Sequence, residues 1–117
     1  MAQQRPGSYL RTHRKKSGLS QRELASIVGY HHRDSVARHE RSKSAPPFLT
    51  ALAYEALFQV PISELFPGFY QTVEHMVEMQ LVELESMLQE KSARDWDAKS
   101  TARKLQWIWE RRTGIKI

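Results

Sequence analysis

Apolar residues recur at three- and four-residue steps along nearly the whole chain, and no stretch alternates apolar with polar in the two-residue period of a strand. That pattern predicts an all-α fold. A first helix is expected over about Tyr9 to Ser17, ended by Gly18, a residue that adopts the left-handed conformation without a Cβ clash. Leu19 to Leu24 carries the densest local signal: Ser20 as N-cap, Glu23 three residues on to complete a capping box, and Leu19 with Leu24 as a hydrophobic staple. The second helix therefore starts at Ser20, is expected to bury Leu24, Ile27 and Val28, and stops at Gly29. After Tyr30-His31-His32 comes a third helix, about Arg33 to Glu40. Val36 is its one large aliphatic, so it should pack along a narrow edge and show the rest of its surface to something polar. A fourth helix is read with Phe48, Leu49, Leu52, Ala53, Ala56 and Leu57 inward, and a short fifth begins at Pro61. Pro67-Gly68 is read as closing this unit.

Beyond it the pattern predicts two amphipathic helices. One runs from Phe69 to about Lys91 with Val73, Met76, Val77, Leu81, Leu84 and Leu88 on one side. The other runs from about Ala98 to Arg112 with Ala98, Ala102, Leu105, Ile108 and Trp109 inward. The expected division is residues 1–68 as one domain and residues 69–117 as a helical extension.

Charge is distributed in blocks that follow this division. Residues 1–50 hold ten Lys/Arg against three acids, residues 51–90 hold seven glutamates and no Lys or Arg, and residues 91–117 hold eight basic residues against three acids. A basic first half is the footprint of a polyanion partner, and an acidic middle repels one. Any nucleic acid should thus meet the first fifty residues.

Candidate chemistry is sparse. The 117 residues include no cysteine, which excludes disulfides, thiolate nucleophiles and cysteine zinc sites. No apolar run approaches the roughly 20 residues of a membrane span, and the first eight residues lack a signal-peptide core. A cytoplasmic chain with no membrane association is expected. The five histidines include no pair at i, i+4, so no metal is expected. No nucleophile elbow, glycine-rich phosphate loop or spaced acidic pair is present, so neither catalysis nor a cofactor is expected.

Four strings carry a resemblance. They are Gly18-Leu19-Ser20-Gln21-Arg22-Glu23-Leu24-Ala25, then Val28-Gly29, then Ser35-Val36-Ala37-Arg38-His39-Glu40-Arg41, then Val60-Pro61-Ile62-Ser63-Glu64-Leu65-Phe66. In this order, over about residues 8 to 67, they resemble the helix-turn-helix domain of the phage lambda repressor and Cro type, also called the xenobiotic-response-element (XRE) family. The resemblance implies a five-helix lambda-repressor-like domain followed by the two C-terminal helices. It also implies that the third helix enters the DNA major groove while the second lies across the backbone. By that likeness Arg33, Asp34, Ala37 and Arg38 face base edges, and Ser20, Gln21, Arg22, His31, Arg41, Lys43 and Ser44 meet phosphates. Arg14 and Glu40 form a structural ion pair. One departure is a link between second and third helices one residue longer than the family's commonest form, which leaves two frames for the recognition helix.

The resemblance ends before the last fifty residues. Met76, Met79, Met87, Trp96, Trp107 and Trp109 are more large apolar surface than a hairpin of this size hides, and such residues are enriched in interfaces. Val73, Val77, Leu81, Leu84, Leu88, Trp107 and Trp109 are therefore expected to support a homodimer that binds double-stranded DNA at an inverted repeat, as a repressor. The alternative is an antitoxin-like module whose C-terminal helices bind and neutralise a different protein, with DNA contact serving autoregulation only.

Overall fold

The computed structural model describes residues 7–92 and 98–115; Trp96, expected among the interface residues, lies outside them. Seven helices and no strand are present among the described residues. They are α1 (Leu10–Lys16), α2 (Gln21–Ile27), α3 (Asp34–Glu40), α4 (Phe48–Phe58), α5 (Ile62–Leu65), α6 (Pro67–Ser92) and α7 (Ala98–Thr113). The chain divides into two compact units, residues 1–73 and 74–117, and the division falls inside α6.

Local chemistry sets the helix ends of the first unit. Ser20 Oγ accepts the Glu23 amide N–H at 3.0 Å and the Glu23 carboxylate accepts the Ser20 N–H at 2.9 Å, so both halves of the capping box are made. α1 closes on Gly18 at φ 78°, with Leu19 N–H donating to the Arg14 carbonyl and Gly18 N–H to that of Lys15. α2 closes the same way on Gly29 at φ 94°, through Tyr30 N–H to Ala25 O and Gly29 N–H to Ser26 O. α3 repeats the motif without a glycine. Ser42 holds φ 58°, while its N–H and that of Lys43 donate to the carbonyls of His39 and Arg38.

These short helices pack α2 on α3, α1 on α3 and α4 on α5, around Leu10, Leu24, Ala25, Val36, Tyr54, Leu65 and Phe66. The five large aliphatic and phenyl side chains among them are fully or nearly fully buried, worth about 1.5 to 3 kcal/mol each by transfer from water. The chain entering α1 is tied to the end of α5 by Tyr9 N–H to Leu65 O at 2.8 Å. The start of α5 is tied to α4 by Ile62 N–H to Glu55 Oε1 at 3.0 Å.

Four readings of the apolar pattern need correction. Phe48 and Leu49, expected inward, are 73% and 76% exposed, and Leu52, Ala56 and Leu57 are exposed as well; α4 buries Ala51 and Tyr54 instead. The helix is apolar nearly all round, so its period does not choose a face. In α2, Ile27 is exposed and Ala25 takes the buried place beside Leu24. Pro67 and Gly68 do not close the unit but open α6, where proline's fixed φ suits a first turn.

The fourth correction concerns the second unit. Glu78 of α6 pairs with Arg111 of α7 and Glu85 with Arg112, at 2.5 and 2.8 Å. At 1.5 Å per residue these partners would stand tens of ångströms apart in collinear helices, so α7 folds back alongside α6. Leu88, Thr101 and Ile108 are buried here. Of the expected interface residues, Leu88 is therefore enclosed within its own chain and Leu81 is half-buried. Val77, Leu84, Trp107 and Trp109 stay exposed in this unit, as does Val73 at the end of the first. Ala98 and Ala102, expected inward, are exposed.

Candidate nucleic-acid interface

The exposed side of α3 is built by a polar clamp and two buried anchors. Arg14 Nε lies 2.5 Å from Glu40 Oε2, its Nη2 3.3 Å from Glu40 Oε1, and its Nη1 donates to the Leu19 carbonyl at 2.9 Å. Gln21 Nε2 donates to the same Glu40 Oε1 at 3.0 Å. One carboxylate thus joins α1, the start of α2 and the end of α3, and its side chain is 3% exposed. A buried charge persists only when its lone pairs are filled in this way.

Val36 and His39 are the inward anchors of α3. His39 is a second anchor that the aliphatic pattern does not reveal: its Nδ1 lies 2.8 Å from Tyr54 Oη, and the rings meet edge-on at 5.8 Å. Burial lowers the His39 pKa from 6.5 and pushes the Tyr54 hydroxyl well above the usual phenol range, helped by the nearby Tyr30 and Glu40. The neutral pair holds α3 against α4.

With Val36 and His39 inward, helical geometry aims Asp34, Arg38 and Arg41 directly away from the core, with Ala37 to one side. Arg33 stands just before the helix as its N-cap, without a side-chain capping bond. Arg33, Asp34, Ala37 and Arg38, the expected base-edge residues, border one open depression of about 240 Å³ together with Gln21 and Arg41. A larger cleft of about 650 Å³ adjoins it, sharing Gln21, Arg33 and Arg41 and adding Ser20 and Arg22 from the α2 side. Its remaining walls are the Arg14–Glu40 pair and Arg11.

The expected phosphate residues do not all meet. Ser20, Gln21, Arg22 and Arg41 line the cleft, whereas His31, Lys43 and Ser44 are exposed outside both depressions. Ser20 spends its oxygen on the cap, and its hydroxyl hydrogen remains a donor. The Glu23 carboxyl is held below its usual range, first by the Ser20 backbone N–H and then by the Ser20 side chain. Gln21 is committed to Glu40 through one N–H and keeps a second. Arg11 has no place in the sequence reading. Its signal was available: it precedes Arg14 by three residues, so it stands one turn along α1 beside the clamp.

Among the described residues Arg11, Arg22 and Arg41 have no ion-pair partner and stand around one cleft as a cradle for an anionic rail, with Arg33 between it and the arginine-bearing helix. Residues 10–65 match a helix-turn-helix family model. These residues are a helix-turn-helix domain of the XRE, or lambda-repressor, type. The helix-turn-helix domain makes the protein a DNA-binding transcription regulator. The family is one of regulatory DNA-binding domains and is not typically enzymatic. Comparison with curated proteins and with solved structures gives no match. Among the described residues no helix is long and apolar enough to cross a membrane, and no three His, Asp or Glu side chains are grouped to hold a metal ion.

Proposed function

We propose that this protein is a cytoplasmic repressor that binds an inverted-repeat operator as a homodimer and occludes a promoter. Residues 1–68 would supply DNA binding and residues 69–117 dimerisation. The observation that carries the reading is the ring of Arg33, Asp34, Ala37 and Arg38 around an open depression that borders an arginine cradle. The ring reads bases. Arg33 and Arg38 each suit guanine O6 and N7, Asp34 accepts from cytosine N4, and the Ala37 methyl touches a thymine methyl. The cradle, with Lys43 and Ser44 on the loop after α3 and His31 in the preceding turn, grips phosphates and sets the register. A two-fold dimer presents two such helices about 34 Å apart, one turn of B-DNA.

Selection of duplexes from a random pool, followed by salt titration, tests the division of labour. Arg38→Ala should cost about 1 to 3 kcal/mol on the selected site and relax the preference at one base pair. Lys43→Ala should weaken all sequences alike and make the salt slope shallower by about one unit. Equal losses on every sequence for both variants would refute the assignment. The exposed apolar residues of the second unit also suit the antitoxin-like alternative. An obligate protein partner at purification would favour it over the homodimer.

A further inference from the structure

The structure splits the apolar side of α6 into two faces. One holds Glu78, Leu81, Glu85 and Leu88, spaced by three and four residues; it carries the ion pairs to α7 and the buried leucine. At 100° per residue, Val77, Gln80, Leu84 and Met87 form a second seam with the same four-and-three spacing, and every one of them is exposed. Met76, Glu83 and Glu90 follow at seven-residue intervals as the rim of that seam, and all three are exposed too. Such a seam is the packing edge of a helix that expects another helix beside it.

Charge says which helix. From Glu74 to Glu90 the second unit carries five glutamates and no Lys or Arg, whereas residues 91–117 carry eight Lys or Arg and three acids, so the unit is neutral, with His75 uncharged, but divided by sign. Glu78 and Glu85 are satisfied by Arg111 and Arg112 of the same chain. Glu83 and Glu90 have no ion-pair partner among the described residues, nor do Lys99, Arg103 and Lys104 of α7. Lys99, Arg103 and the exposed Trp107 succeed one another at four-residue steps along α7, on a different side from the buried Thr101 and Ile108. An acidic rim beside an apolar seam, and a basic row ending in an exposed tryptophan, are complementary to each other. A symmetric contact between two copies brings them together twice, because in a two-fold interface each patch meets its counterpart reciprocally. Pairing α6 with α6 would instead oppose glutamates.

We propose that two copies of this chain associate through their second units, the outer seam of α6 in each seated against the Lys99–Arg103–Trp107 side of α7 in the other. This rests on the homodimer reading and specifies its contact.

The test is the solution mass of the full chain by sedimentation without DNA at near-physiological salt, with helical content followed by circular dichroism. Wild type should be a dimer. Glu83→Lys with Glu90→Lys, and separately Lys99→Glu with Arg103→Glu, should each weaken the dimer by about a hundredfold or more, since each places like charges across the contact. An equimolar mixture of the two double variants should recover dimers, because each then supplies the sign the other lacks. Continued dimerisation of Lys99→Glu with Arg103→Glu would overturn the α6–α7 pairing while leaving a homodimer. A dimer lost only on Leu49→Glu with Leu52→Glu would place the contact on the exposed face of α4. A wild-type monomer at every concentration would remove both the contact and the homodimer, with the DNA-binding reading still testable on its own.

Discussion

The two units of this protein are held by different means. Among the described residues the first closes around a cluster of seven buried side chains, joins three helices through one buried ion pair, and leaves no buried side-chain nitrogen or oxygen without a partner. The second buries Leu88, Thr101 and Ile108 and relies on two ion pairs whose side chains are 26% to 48% exposed. A charge removed from solvent must be answered locally, whereas one at the surface is answered by water. The first unit is complete as a fold and offers polar side chains outward. The second shows apolar and charged rows that are exposed among the described residues.

The largest difference should appear on cutting one ion pair in each unit. Arg14→Ala strands the Glu40 carboxylate and should lower stability by about 3 to 5 kcal/mol, read as a drop in urea midpoint. Arg112→Ala should cost under about 1 kcal/mol, because its pair with Glu85 is screened by solvent. Equal losses would erase the contrast.

Within the first unit, Tyr54→Phe leaves the His39 ring nitrogen without its buried partner and should cost about 1 to 3 kcal/mol. The same contact predicts a pH response. Burial holds the folded His39 pKa below its ordinary 6.5, so the unfolded chain binds the proton more readily. Stability is then full above the ordinary value and is lost as pH falls from there toward the folded pKa. Urea midpoints on either side of that window should show the decline, and His39→Gln should flatten it. An unchanged slope in that variant would remove His39 from the account.

The smallest effect is expected on α4. Phe48→Ser and Leu49→Ser should each change stability by no more than about 0.5 kcal/mol, as surface substitutions do. A loss of several kcal/mol from either would mean that the apolar stripe read from the sequence is covered after all.

Much of the first unit was legible because its signals are local. Ser20 and Glu23 find each other across three residues, and Gly18 and Gly29 take a backbone conformation that other residues resist. Arg38 and Asp34 were expected outward because Val36 is the one large aliphatic of a seven-residue helix. Other parts were hidden. Arg11 joins the cleft only because α1 stands beside the Arg14 clamp, and His39 is an anchor only because Tyr54, fifteen residues on, is brought to it.

The amino-acid sequence by itself determined, to within about two residues, where the first three helices begin and end, the sign of charge in each block, and the residues that mark a helix-turn-helix domain. Each depends on interactions within a few residues or on simple tallies of side chains. Tertiary structure decided which face of α4 is covered, which polar groups share Glu40, and which α6 leucines are turned toward α7. Those choices lie between surfaces of nearly equal hydrophobicity, and only a partner distant along the chain distinguishes them.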